Sequence, residues 1–330
     1  MSSEGTVSVR CTGVAARAVE VEVPTDIWPT VEEYLSGFVA VEPSNSSDGL
    51  WRVVLSMKTD TTRTLGAHYG DYDDTLIWRK IDAERCVVRL TADASSAYAP
   101  VHVVRNIRTL LRLDVARYDA SALFLHAGMV AWRGHGLAIA GGKGSGKTST
   151  VLAAAAAGAD FVSNDDLSLH EGPDGAVGHG WPRSVSVRLD TLAPLGLTLP
   201  ADAVHPSNRH RTDAQLLMPG EIGRMLGCRI VPSAPLRAMI FPSFTGDDAF
   251  VPRRLDVKET TERLLANLLT PPVKDDELRA RFAPPPTERL ADRVRRIAAG
   301  VPAFALRQSL TGLGFRTELA GMLDQVVTAQ

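Results

Sequence analysis

Eight consecutive residues, Gly141-Gly142-Lys143-Gly144-Ser145-Gly146-Lys147-Thr148, satisfy the spacing G-x-x-x-x-G-K-[ST]. Glycines at these positions let successive backbone N–H groups curl round an anion, and a helix starting behind them adds about half a positive charge. Lys147 can then reach β- and γ-phosphates and the Thr148 hydroxyl can ligate Mg²⁺, with Ser149 completing the set of binding residues. The pattern predicts a site for ATP with Mg²⁺. The next acidic pair, in Asn164-Asp165-Asp166, falls where the strand after the loop helix is expected to end. In open α/β sheets ligands collect at that edge. One carboxylate there can hold the metal, directly or through water, and one can take a proton from an attacking hydroxyl. Asn-Asp-Asp is also good turn chemistry. His126 lies in the apolar run Phe124-Leu125-His126-Ala127-Gly128-Met129-Val130, a setting in which a lone histidine is more often a packing residue than a working one.

These residues need a scaffold, and the chain supplies it on both sides. Leu123–Trp132 and Leu137–Ala140 are apolar runs separated by Arg133-Gly134-His135-Gly136, which predicts a strand pair feeding the loop. Val151–Ala157 reads as a helix stopped by Gly158. A strand over Ala159–Ser163 leads to the aspartates, with further strands at Ser184–Leu189 and Leu236–Phe241. This strand and helix alternation predicts an α/β domain. Upstream, six short runs rich in β-branched and aromatic residues (Val7–Arg10, Val19–Val23, Phe38–Val41, Trp51–Ser56, Leu76–Lys80 and Cys86–Leu90) predict a β-rich region over residues 1–98. From Val101 onward Val104, Ile107 and Leu111 recur at helical spacing, with Arg105, Arg108 and Arg112 between them. The second domain is therefore assigned to residues 99–330. It ends in helices over Glu259–Leu269, Thr287–Ala299 and about Thr317–Val327, with a strand at Ala303–Leu306 and loops at Pro271-Pro272 and Pro284–Pro286.

Composition narrows the classes of function. The 330 residues are 45% apolar and 22% charged, which is ordinary for a folded protein. Lys+Arg 36 against Asp+Glu 38 gives a net charge of −2, so no basic field points to nucleic acid or anionic lipid. No run approaches the roughly 18 uncharged apolar residues of a membrane helix, and the start lacks a signal segment, which predicts a cytoplasmic protein. Cys11, Cys86 and Cys228 fit neither a disulfide framework nor a zinc cluster. Among the basic clusters, Ser207–Arg211 is a loop able to bring an arginine onto a phosphate, though a solvated loop is the commoner reading. Arg293, Arg295 and Arg296 are expected on a solvated helix face.

The stretch LFLHAGMVAWRGHGLAIAGGKGSGKTSTVLAAAAAGADFVSNDDLSLH resembles the catalytic domain of the HPr kinase/phosphorylase family. A strand carrying a histidine, a hairpin, a phosphate loop, an alanine-rich helix and a strand ending in Asp-Asp come in that order. The resemblance covers about residues 120–190 well, the rest of the C-terminal part loosely, and the N-terminal region not at all. It implies a phosphoenolpyruvate-carboxykinase-like P-loop fold and phosphorylation of a serine hydroxyl on a protein or peptide. By the same resemblance Asp165 is the general base, His126 supports it, Lys147 and Thr148 bind phosphate and metal, and Asp166 stands beside the base, on the metal. Two departures stand out: Lys143 lies inside the loop, and the family's Glu-Ile-Arg-Gly-Leu-Gly signature is replaced by Trp181-Pro182-Arg183 and Ser184–Leu189. Kinase chemistry is the part that transfers; the departures leave the reverse phosphorylase reaction, the carrier and the oligomeric assembly open. Expected partners are a hydroxyl acceptor and, within the family's habit, further copies of the chain, with no nucleic acid and no membrane. The alternatives are a kinase of a small-molecule hydroxyl and a nucleotide-binding scaffold without catalysis. A guanine-type switch or a transporter ATPase lacks its second signature.

Overall fold

A computed structural model describes residues 5–14, 17–44, 50–58, 76–94, 96–119, 121–201, 213–245, 250–273, 275–280, 288–309 and 314–328. The Ser207–Arg211 loop and Pro284–Pro286 lie outside them. The chain is mixed α/β. Its first layer is a six-stranded sheet of β1 (Thr6–Thr12), β2 (Ala18–Pro24), β3 (Ala40–Pro43), β4 (Trp51–Lys58), β5 (Leu76–Asp82) and β6 (Val87–Asp93), in the order β3-β1-β2-β4-β6-β5. Helix α1 (Trp28–Leu35) interrupts it, and the 20-residue α2 (Ala99–Tyr118) packs across it. Val103, Val104, Ile107, Leu110 and Leu111 of α2 share one buried cluster with Val19, Val21, Val53 and Leu90 of the strands. The apolar stripe of α2 packs mainly on this sheet, with Phe124 and Trp181 of the part that follows joining the same cluster.

The second layer is a nine-stranded sheet. It contains β7 (Leu123–Leu125), β8 (Ala127–Trp132) and β9 (His135–Ala140), then β10 (Asp160–Ser163) after helix α3 (Lys147–Ala156). A hairpin of β11 (Leu167–Gly172) and β12 (Gly175–Gly180) follows. β13 (Val185–Arg188) and β14 (Ala214–Leu217) pair apart from it, flanked by α4 (Leu189–Leu192) and α5 (Pro219–Leu226). The 12-residue β15 (Ser233–Phe244) belongs to both halves of the sheet, pairing with β12 through its first residues and with β9 beyond them. After it come β16 (Val251–Arg254), α6 (Val257–Ala266), α7 (Asp276–Arg279), α8 (Glu288–Gly300), β17 (Ala303–Gln308) and α9 (Phe315–Thr328).

Alternation along the strands sorts the two faces. Val130, Leu137, Ile139 and Ile240 face α3 and α9, while Met129, Ala138, Ala140 and Phe241 face α6 and α8. Alanines in α3 let it lie close on β8: a side chain at Gly128 would have its Cβ 2.7 Å from Val151 Cγ2. Helix α6 is capped by Asp256, which accepts from the Glu259 amide at 2.8 Å while Glu259 accepts from the Asp256 amide at 3.3 Å. Arg295 and Arg296 are exposed as expected, but Arg293 is buried and donates to Ala122 O at 3.4 Å. The α8 face it occupies packs on the sheet, so that part of the solvated-face reading is corrected. Among the described residues no helix is long and apolar enough to cross a membrane.

Candidate active site

The glycine-rich loop of residues 141–148 occupies the turn between β9 and α3. Gly144 and Gly146 adopt φ of 80° and 99°, and Gly146 is the N-cap of the helix. Only glycine takes these conformations at little cost. Gly141 is constrained by contact instead, since its Cβ would stand 2.6 Å from Ser145 Oγ. That hydroxyl is buried and has no hydrogen-bond partner. Gly142, Lys143 and Gly144 are exposed at the rim, Thr148 is partly exposed, and Ser149 is buried in the first turn of α3. The Lys147 ammonium folds back over the loop, donating to Gly141 O at 2.9 Å. A loop with first-turn amides lacking intrahelical acceptors, an orphaned hydroxyl and a lysine across it could hold an anion.

The catalytic candidates converge on this cradle. The expected single strand over Leu123–Trp132 is broken at His126, whose amide donates to Asn267 O at 2.8 Å. The break places His126 between β7 and β8 instead of within a strand. Asp165 follows β10 in a turn with φ of 62°, a left-handed conformation that Asp tolerates better than most residues. Its Oδ1 lies 3.8 Å from His126 Nε2 and 3.6 Å from Lys147 Nζ. Residues some forty positions apart thus share one point, with Lys147 buried, Asp165 partly open and His126 half-buried. Burial pushes the His126 pKa down, Lys147 and Arg183 add to that, and Asp165 pulls the other way. The net shift is downward, which favours the neutral imidazole.

Asp166 goes elsewhere. Its side chain is 1% exposed and lies between two arginines of α2, 3.3 Å from Arg108 Nε and in closer contact with Arg112 Nη1. Its carboxylate is enclosed by these cations, whereas Asp165 is the more open of the two. Burial lowers the Arg108 pKa to about 9, despite Asp166 beside it. Arg108 also donates to Pro182 O at 3.4 Å, which brings the chain at Arg183 to the site. Arg108, Arg112 and Arg183 are the residues that sequence reasoning missed. Arg108 and Arg112 stand at i and i+4 with no acid on their own face of the helix, a signal that their partner lies on another element. Among the described residues no group of three His, Cys, Asp or Glu could hold a metal by itself. Mg²⁺ commonly keeps several waters and relies on substrate phosphates, so Thr148 with a bound triphosphate remains a fitting donor set.

No family model matches the chain, and no curated protein does. Among solved structures, the Hpr(Ser) kinase/phosphatase from Coxiella burnetii is similar at 12% identity and a TM-score of 0.31, over 61% of this chain and 88% of that one.

Proposed function

We propose that this chain is an ATP- and Mg²⁺-dependent kinase on a phosphoenolpyruvate-carboxykinase-like P-loop fold, transferring the γ-phosphate to a hydroxyl, foremost a serine of a protein or peptide. The observation that carries the reading is the convergence of Lys147, Asp165 and His126 at the mouth of an anion cradle. In this reading the loop amides and Lys147 hold the β- and γ-phosphates. When bound, Mg²⁺ neutralises charge on the phosphates, held by Thr148. Asp165 accepts the proton of the acceptor hydroxyl as its oxygen attacks the γ-phosphorus and the bond to the β-phosphate oxygen breaks. Neutral His126 orients that carboxylate, and Lys147 stabilises its charge as well as that of the phosphates. The resemblance of residues 120–190 to HPr kinase catalytic domains supports the same roles.

The test is transfer of labelled phosphate from ATP, with Mg²⁺, to a panel of serine peptides and small hydroxyl compounds. Labelled product is expected with the wild-type chain and none with Lys147→Ala, which also loses ATP affinity in calorimetry. Unchanged affinity together with surviving transfer in Lys147→Ala places the chemistry elsewhere.

A further inference from the structure

The strand directions fix what lies on each side of the phosphate loop. β10 and β9 are both antiparallel to β8, β15 is parallel to β9, and β17 is parallel to β15. The C-terminal ends of these four strands therefore share one edge of the sheet. Along that edge Asp165 follows β10, the loop follows β9, Phe244 ends β15 and Gln308 ends β17. Asp165 and Phe244 flank the loop from opposite sides.

Phe244 is in direct reach of the loop. A Cβ on Gly146 would lie 3.0 Å from Phe244 Cζ and 2.6 Å from Gln308 Nε2. Gln308, fully buried and in register with Phe244, donates to Thr150 Oγ1 at 2.9 Å. That flank is thus pinned to the first turn of α3. Yet Phe244 is 46% exposed. A lone exposed phenylalanine is ordinary on a protein surface. This one is fixed at the rim of an anion cradle, opposite the groups that would handle the transferable phosphate. A triphosphate with its terminal phosphate toward Asp165 and Lys147 sends its other end across the loop, toward β15.

We propose that Phe244 is the platform on which the nucleobase of the bound nucleotide stacks, with Gln308 holding the flank that carries it. The proposal rests on the nucleotide reading of the loop, and its test separates the two. Calorimetry on the full chain compares Mg·ATP with Mg·tripolyphosphate, which has the phosphates but no base. The wild-type chain is expected to bind ATP more tightly than tripolyphosphate. Phe244→Ala should weaken ATP by about 5- to 150-fold, the range for loss of one base–aromatic stack, and leave tripolyphosphate within about twofold. Phe244→Trp should restore ATP binding. Equal loss for both ligands in Phe244→Ala, or no loss for ATP, overturns the platform. So does a weakened acceptor KM with ATP affinity intact, which would assign the ring to the acceptor. A wild-type chain that binds both ligands equally well also overturns it while sparing the phosphate cradle. Binding of neither ligand sinks the nucleotide reading itself.

Discussion

Asp165 and Asp166 are neighbours with opposite environments, one on the rim of the cradle and one closed in by arginines. In sequence they are an acidic pair after a strand, and either role suits either residue. What separates them is Arg108 and Arg112, which in sequence are the polar positions of an amphipathic helix belonging to another layer. Asp165→Asn keeps a residue that tolerates a left-handed turn, so the fold and ATP affinity should persist while transfer falls about 10²- to 10⁴-fold. A rate within a factor of two of wild type would remove Asp165 from the base role. Asp166→Ala leaves two buried guanidinium groups without their carboxylate, at a cost of about 3–5 kcal/mol. The expected readout is a lowered urea midpoint, and an unaltered midpoint with lost Mg²⁺ dependence would return Asp166 to the metal. His126 adds a pH dependence. Because its folded pKa is lowered, activity should hold through pH 7 and fall only as the pH drops below 6.5, when an imidazolium forms beside Lys147. His126→Gln should lose that acid limb in a kcat/KM profile.

The elements around the site differ in how plainly their residues announce them. β1 and β2 alternate β-branched residues, β4 and β6 are short valine-rich runs, and α2 keeps its apolar stripe over five turns, so their existence follows from local pattern alone. α1 is a short helix of eight residues between two strand runs, and its proline suits a first helical turn. Phe38 and Val39 then fall in the turn after α1, which moves β3 to start at Ala40. The β11–β12 hairpin escaped for a different reason: its strands carry glycines and histidines, and tertiary pairing outweighs their weak propensity. Those histidines are not idle. His170 Nδ1 lies 2.6 Å from Asp119 Oδ2 and its Nε2 2.9 Å from Ser168 Oγ. This is the order of a hydrolase triad, but Ser168 is fully buried and accepts from Trp181 Nε1 at 3.1 Å. The network is a strut. His179 packs edge-on against His170, with ring centroids 4.7 Å apart, and burial followed by the His170 charge pushes its pKa down to about 4. The unfolded chain takes up this proton near pH 6.5 and the folded chain only near pH 4, so stability should fall as the pH drops between those values. His179→Phe should flatten that decline in urea midpoints measured from pH 7 to pH 4, and an unchanged slope would show that other groups govern it.

At the scale of the whole molecule, α2 ties the first layer to the turn after β10: its apolar face is buried on the first sheet while Arg108 and Arg112 hold Asp166. The boundary at residue 98, drawn where strands give way to a helix, cuts between the helix and the sheet it covers. Composition changes at that point, but the packing partner does not. A chain starting at residue 99 should expose the α2 stripe and aggregate, and one starting at residue 121 should lose the cations that neutralise Asp166. Size-exclusion chromatography and thermal melting check both, and a monomeric, cooperatively melting 121–330 fragment that binds tripolyphosphate would show the first layer to be dispensable. The position of β15 has a consequence in time. Its partners β9 and β17 lie far away in sequence on either side, and Gln308, near the chain's end, bonds to Thr150 behind the phosphate loop. Pairings of such high contact order close late. A growing polypeptide that has emerged only to residue 300 has already made the loop, its lysine and both aspartates, yet lacks the strand that completes their edge. The edge that carries residues 141–148, Asp165 and Phe244 is thus complete only once residues 303–308 have been made and paired.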